Sequence, residues 1–77
     1  MKLEWKSGTG FVMYVSDGEQ CSYQISTDLD SLLHPGRDRR FVVLQLRQPA
    51  GQVVRRTFAL TTEGAMARAQ VWENGHG

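Results

Sequence analysis

The sequence predicts a single α+β domain, in which a four-stranded antiparallel sheet made of two hairpins is covered on one face by one C-terminal helix. Three observations predict this fold: polar and apolar residues alternate over 19–26, two β-branched runs flank a Pro–Gly turn within 40–60, and an apolar stripe has helical spacing over 61–73. The 77 residues and the net charge of +1 suit one small domain. We expect residues 1–9 and 74–77 to be flexible.

The first hairpin is predicted over residues 10–26. Residues 10–16 are rich in β-branched and aromatic side chains, which favour strands. The Ser-Asp-Gly sequence at 16–18 favours a three-residue loop, because Asp tolerates turn geometry and Gly adopts positive φ. This loop would pair Met13 with Cys21. A two-residue loop would instead bring the alternate side chains of the first strand to the apolar positions of the second.

The second hairpin is predicted over residues 40–60. Gln-Pro-Ala-Gly at 48–51 is typical of a type I turn followed by a Gly bulge. With this loop, Leu44 lies opposite Arg56, whose charged end must then reach water at the sheet edge. The face under the helix would consist of Val42, Leu44, Leu46, Val54 and Phe58. The uncovered face would carry Phe41, Val43, Gln45, Arg47, Val53, Arg55 and Thr57.

The segment between the hairpins, residues 27–40, is predicted to be a surface loop. Residues 28–33 form at most one helical turn there, since a proline at position 35 disfavours helical geometry in the residue before it.

The C-terminal helix is predicted over residues 61–73, with Thr61 or Thr62 as its N-cap and Asn-Gly at 74–75 as its end. Its apolar stripe consists of Ala65, Met66, Ala69 and Trp72. One helix covers only one face of a four-stranded sheet, so the other face is free to bind a partner.

The sequence offers little for catalysis or metal binding. Cys21, His34 and His76 share no metal-ligand spacing, and Cys21 alternates with residues predicted to be buried. Asp28 and Asp30 lack the apolar surroundings that would raise one carboxyl pKa for acid catalysis. We therefore predict a protein that is not an enzyme, with no catalytic residues, no metal ion and no other cofactor.

The positive charge is concentrated in the second half of the chain. Six arginines lie between residues 37 and 56, against one acid, Asp38. Arginine suits phosphate groups and guanine edges, so one interpretation is a DNA- or RNA-binding module that uses arginines on the uncovered face. A pI of about 8.0 is lower than the values above 9 that are typical of nucleic-acid-binding domains.

Protein binding is the leading interpretation. Apolar residues beside arginines, as predicted for the uncovered face, resemble the composition of interface cores. The partner would be another protein or a second copy, and a homodimer would add the buried area that so short a chain lacks. Under either interpretation the predicted binding residues are Arg47, Arg55, Phe41, Val43, Gln45, Thr57, Arg39 and Arg40, with Arg37 beside the last two.

The chain is expected to be cytoplasmic and not to bind membranes. No apolar run approaches the roughly 18–20 residues that span a bilayer. The N-terminal segment lacks the apolar core of a signal peptide, and a single cysteine forms no internal disulfide.

Residues 39–73, RRFVVLQLRQPAGQVVRRTFALTTEGAMARAQVWE, resemble the strand–turn–strand–helix pattern of many short bacterial and prophage proteins. They are also similar to the arm-type DNA-binding domains of tyrosine integrases, which place the open face of a three-stranded sheet in the major groove. That resemblance implies that Arg47, Arg55 and Thr57 face the groove. The hairpin at 11–26 departs from the three-stranded pattern, and the recombinase catalytic domain is absent.

Overall fold

The computed structural model describes residues 1–34, 36 and 38–75. The elements in chain order are β1 (Lys6–Ser7), β2 (Val12–Asp17), β3 (Cys21–Thr27), α1 (Leu29–Leu33), β4 (Phe41–Arg47), β5 (Gln52–Ala59) and α2 (Thr62–Gly75). The strands form one antiparallel sheet in sequence order. The α+β class and the C-terminal helix are confirmed, but the described residues contain five strands and two helices, not four and one. Neither of these helices has the length and apolar character needed to cross a bilayer.

The additional strand, β1, lies within the segment predicted to be flexible. It pairs with residues 14–15 of β2 and has only two residues, too few for any alternation to be read from sequence. The Leu3 side chain is buried, and the backbone N–H of Leu3 donates to Gln70 Oε1 over 2.8 Å. The Ser16 hydroxyl donates to the Glu4 carbonyl over 2.7 Å. Residues 3–7 of the segment predicted to be flexible thus contact β2 and α2.

The segment 27–40 contains the short helix α1 at the position of the predicted turn, with Asp28 as its N-cap residue. The two ends of the segment are joined, since Arg40 Nη2 lies 2.7 Å from Asp28 Oδ2 and Arg40 N–H donates to Ser31 Oγ. Pro35 and Arg37 lie outside the described residues.

The first hairpin closes with a two-residue loop, so the predicted loop over 16–18 is wrong. Gly18 N–H donates to the Cys21 carbonyl over 2.8 Å, and Asp17 remains in β2 opposite Ser22. Gly18 has no positive φ; it is needed for space, because a Cβ there would strike the Glu73 carboxylate. The sequence predicts that Gly18 is needed for the turn, whereas in the structure Gly18 allows helix α2 to approach the hairpin loop closely.

The pairing predicted for the second hairpin is confirmed in the half away from the turn and is wrong beside the turn. Val42 lies opposite Phe58 and Leu44 opposite Arg56. The register then shifts, so that Leu46 lies opposite Val53 and Val54 is the extra residue of a bulge. The predicted type I turn with a Gly bulge is wrong: Gly51 N–H donates to the Arg47 carbonyl over 2.8 Å, residues 48–51 form a four-residue loop with a cis Gln48–Pro49 peptide, and the bulge lies at Val54 rather than at Gly51, whose φ is +74°.

The helix covers the opposite face of the sheet from the one predicted. Tyr23, Ile25, Phe41 and Val43 are buried in one cluster with Ala65 and Ala69 of α2. Both faces of β4 are apolar, so its own sequence does not decide which is covered. The alternation in β3 decides it, because Ile25 lies opposite Val43 and the other face of β3 carries Ser22, Gln24 and Ser26. The predicted inner and outer faces of β4 and β5 therefore exchange, except at the bulge, where Val53 lies on the uncovered face as predicted.

Helix α2 follows its prediction closely. Thr61 is the N-cap, and its hydroxyl accepts the Gly64 N–H over 2.9 Å. Ala65 and Ala69 are buried, and Met66 and Trp72 pack against them as the predicted stripe requires. The helix extends to Gly75. His76 and Gly77 lie outside the described residues.

We expect Gly8→Ala to destabilise the fold by about 2 kcal/mol, because the new methyl group would strike the backbone carbonyl of Val12. Gly75→Ala is the matched control, since nothing lies within 4 Å of a Cβ there. Urea unfolding of the two variants measures the difference. Equal stability of the two variants would contradict the β1–β2 geometry.

Candidate functional site

The sheet face that α2 leaves uncovered is called the open face. Because side chains alternate along strands and paired residues share a face, its members follow from the register. Val53 and Phe58 are its most exposed apolar residues, at 49% and 39%. The apolar members of the open face are Val12, Val15, Val42, Leu44, Leu46, Val53 and Phe58.

The charges on the open face are mainly positive. Lys6 and Arg56 lie in one row across the sheet. The guanidinium carbons of Arg40 and Arg56 lie 4.6 and 5.2 Å from the centre of the Phe58 ring. Asp17 is the acid of this face, and Arg40 is paired with Asp28 outside it. Among the described residues, neither Lys6 nor Arg56 forms an ion pair, so the surface has a surplus of positive charge.

Several residues predicted to line the uncovered face belong to the covered one. Phe41, Val43 and Gln45 are buried under α2, and Thr57 is half-buried opposite Val43. Their placement on an open surface is wrong, because the register of β3 against β4 turns them toward the helix.

Arg39 and Arg40 lie directly before β4. Arg39 is exposed, its guanidinium carbon lies 5.3 Å from the Phe41 ring centre, and it donates to Thr27 Oγ1. Arg40 borders the open face beside Phe58. Arg47 lies at the other end of β4, about 20 Å away at the usual rise per residue, so the predicted basic residues do not form one surface.

Three of the predicted residues, Arg47, Arg55 and Gln45, do come together, in a groove of about 660 Å³. We call it the arginine groove. It lies where β3, β4 and β5 meet their turns, on the helix side of the sheet. Its other lining residues are Glu19, Gln20, Cys21, Gln48, Pro49 and Val54.

The strand register brings the two arginines of the groove close to one another. Arg55 lies opposite Gln45, and Arg47 is two residues further along β4, opposite Cys21. Such diagonal neighbours lie about 7–8 Å apart, within the reach of two guanidinium groups that converge on one ligand. The Arg55 guanidinium carbon lies 5.9 Å from the Trp72 ring centre, which holds it beside the end of α2.

A buried hydrogen-bond network lies behind the groove. Gln45 Nε2 donates to the Tyr23 hydroxyl over 3.1 Å, and that hydroxyl donates to Glu73 Oε1 over 2.9 Å. Glu73 Oε2 accepts the Glu19 N–H over 3.1 Å. Burial raises the pKa of Tyr23 to about 12, and the Glu73 carboxylate beside it acts in the same direction. The network fixes the side chain of Gln45, which faces the groove.

Glu73 was missed by sequence reasoning, although it is only 1% exposed. A signal was present, since Glu73 follows Ala65 and Ala69 at intervals of four residues and thus lies on the buried stripe of α2. A carboxylate at that position needs donors on the sheet, and Tyr23 is one of them.

The Cys21 thiol and the His34 imidazole lie far apart. Cys21 begins β3, whereas His34 follows α1 beyond the other end of that strand and contacts Asp30 over 3.1 Å. Across residues 1–34, 36 and 38–75, no group of three or more His, Cys, Asp or Glu side chains could hold a metal ion.

No family model matches this chain, and neither curated proteins nor solved structures include a significant match to it. The similarity of residues 39–73 to integrase arm domains therefore stays a prediction. The open face and the arginine groove are the two surfaces that bear on function.

We expect the folded state to lose stability between pH 10 and pH 12. The pKa of Tyr23 is raised from 10.0 to about 12 in the fold, so protonated Tyr23 stabilises the fold below pH 10, and this contribution is lost as the pH rises through 12. The free energy of unfolding should fall by about 2 kcal/mol more than in Tyr23→Phe, because every other titrating group is common to both proteins. Urea unfolding at successive pH values measures the free energy of unfolding of both proteins. The same dependence on pH in the wild type and in Tyr23→Phe would contradict the network.

Proposed function

We propose that this chain is a small non-enzymatic binding protein of bacterial or phage type, which acts through protein contacts on its open face. The observation that carries the proposal is the set of apolar side chains on β4 and β5 that no element covers: Val42, Leu44, Leu46, Val53 and Phe58. Exposed apolar patches with polar surroundings are typical of protein interaction sites. A cytoplasmic location suits the single thiol, Cys21.

The size of the open face favours reversible binding. Four long strands at about 4.8 Å spacing and about seven residues each give a surface on the order of 20 Å by 20 Å. That is roughly half of the ~800 Å² that each partner contributes to a standard interface. We therefore expect a small, reversible contact.

The charge of the open face favours a different protein over a second copy. An isologous dimer would place the same positively charged patch, with Lys6 and Arg56, against itself. A partner with an apolar centre and carboxylates at its rim would neutralise these charges. Arg56 would then stack on the Phe58 ring while it meets the partner's acids.

We expect Leu44→Asp to weaken partner binding at least tenfold, because it places a carboxylate in the apolar centre of the contact. Val71→Asp, at a residue of α2 that is 65% exposed, is the matched control and should bind like the wild type. The wild type and the two variants are immobilised and exposed to a bacterial lysate, and the proteins that each of them captures are compared. Any protein lost only with Leu44→Asp is purified, and its affinity is measured by calorimetry.

The alternatives have distinct outcomes. If the pure protein sediments as a dimer, the partner is a second copy of the chain rather than a different protein. Sedimentation with a short random duplex at low and moderate salt tests the alternative, DNA or RNA binding, which would show an affinity that falls steeply with salt. Protein captured equally by all three immobilised proteins would contradict a role for the open face.

A further inference from the structure

We propose that the arginine groove binds a small phosphorylated molecule, with the phosphate held between Arg47 and Arg55. The groove lies on the opposite side of the sheet from the open face, so this site is independent of the proposed protein contact.

The charges of the groove favour an anion. Arg47 and Arg55 are exposed on adjacent strands, and among the described residues neither forms an ion pair with a carboxylate. Like charges at such positions repel each other. A tetrahedral oxyanion between them removes the repulsion and accepts paired N–H donors from each guanidinium group. Glu19, on the β2–β3 loop, is the one acid among the described lining residues, and the two guanidinium groups outweigh its charge.

The rest of the groove suits a polar organic body attached to that phosphate. Its volume of about 660 Å³ lies in the range of small-molecule sites. Gln45 is held in place by its bond to the Tyr23 hydroxyl over 3.1 Å. Its amide is thus oriented before a ligand arrives, and Pro49 supplies an apolar wall.

A small ligand fits the surroundings better than a nucleic-acid strand. The other basic residues of the second hairpin are distant or engaged, since Arg40 is paired with Asp28 at the far end of β4 and Arg56 lies on the other face. The adjacent first hairpin presents Asp17 and Glu19, both exposed, which would repel a continuous phosphate backbone.

Isothermal titration calorimetry of the full chain tests the site with four probes: inorganic phosphate, adenosine monophosphate, adenosine and a twelve-nucleotide single strand. We expect saturable one-to-one binding of both small phosphates at low ionic strength, tighter for the monophosphate ester, and none of adenosine. Arg47→Gln and Arg55→Gln should each weaken phosphate binding by on the order of tenfold or more, which is the effect of losing a charged hydrogen bond. Arg56→Gln, which removes the same charge from the opposite face, should leave it unchanged.

Arg47→Lys and Arg55→Lys extend the test should either Gln variant unfold, which circular dichroism reports. They should weaken binding because paired donation is lost, but by less than the Gln variants because the charge is kept.

Three outcomes would overturn the proposal: no saturation by small phosphates at about 10 mM, equal weakening by Arg56→Gln, or binding of the oligonucleotide alone. Leu44→Asp should not alter phosphate affinity, so failure of one proposal is separable from failure of the other.

Discussion

The pairing of β3 with β4 determines most of what this molecule presents to its surroundings. With Ile25 opposite Val43, the apolar positions of β3 and one of the two apolar faces of β4 meet the alanines of α2. The same register places Gln45 beside Tyr23 and Arg47 beside Cys21. A shift of one residue would turn every side chain of β4 to the other face, and the groove and the open face would exchange their residues.

The buried carboxylate of Glu73 is the second constraint. It lies near the C-terminal end of α2, where the helix dipole disfavours a negative charge. Hydrogen bonds from the Tyr23 hydroxyl and the Glu19 N–H offset that cost and the cost of burial. Their donors lie on β3 and on the loop of the first hairpin, so the helix end is fixed to both. Gly18 permits this approach because it has no side chain.

The positions of the main strands and of the C-terminal helix were predictable from the sequence, whereas the hairpin loops and the long-range contacts were not. The stripe with Ala65 and Ala69 follows from helical spacing. The pairing of Leu44 with Arg56 was predicted correctly because the longer loop at 48–51 and the bulge at Val54 offset each other. The covered face of β4 depends on its register with β3, across the connection 27–40, which no local pattern specifies. For this reason Phe41 and Val43 were predicted on the wrong face. Arg47 and Arg55 were identified by their chemistry, although the surface they form was not.

The order of the elements also has a consequence for synthesis on the ribosome. Every strand pairs with its neighbour in sequence, so the sheet can assemble as the chain emerges, before α2 is available. At that stage Ile25 and Val43 are as uncovered as the apolar residues of the open face, and the sheet is apolar on both sides. The nascent chain is therefore most vulnerable to aggregation in the interval before the fourteen-residue helix α2 folds onto the sheet.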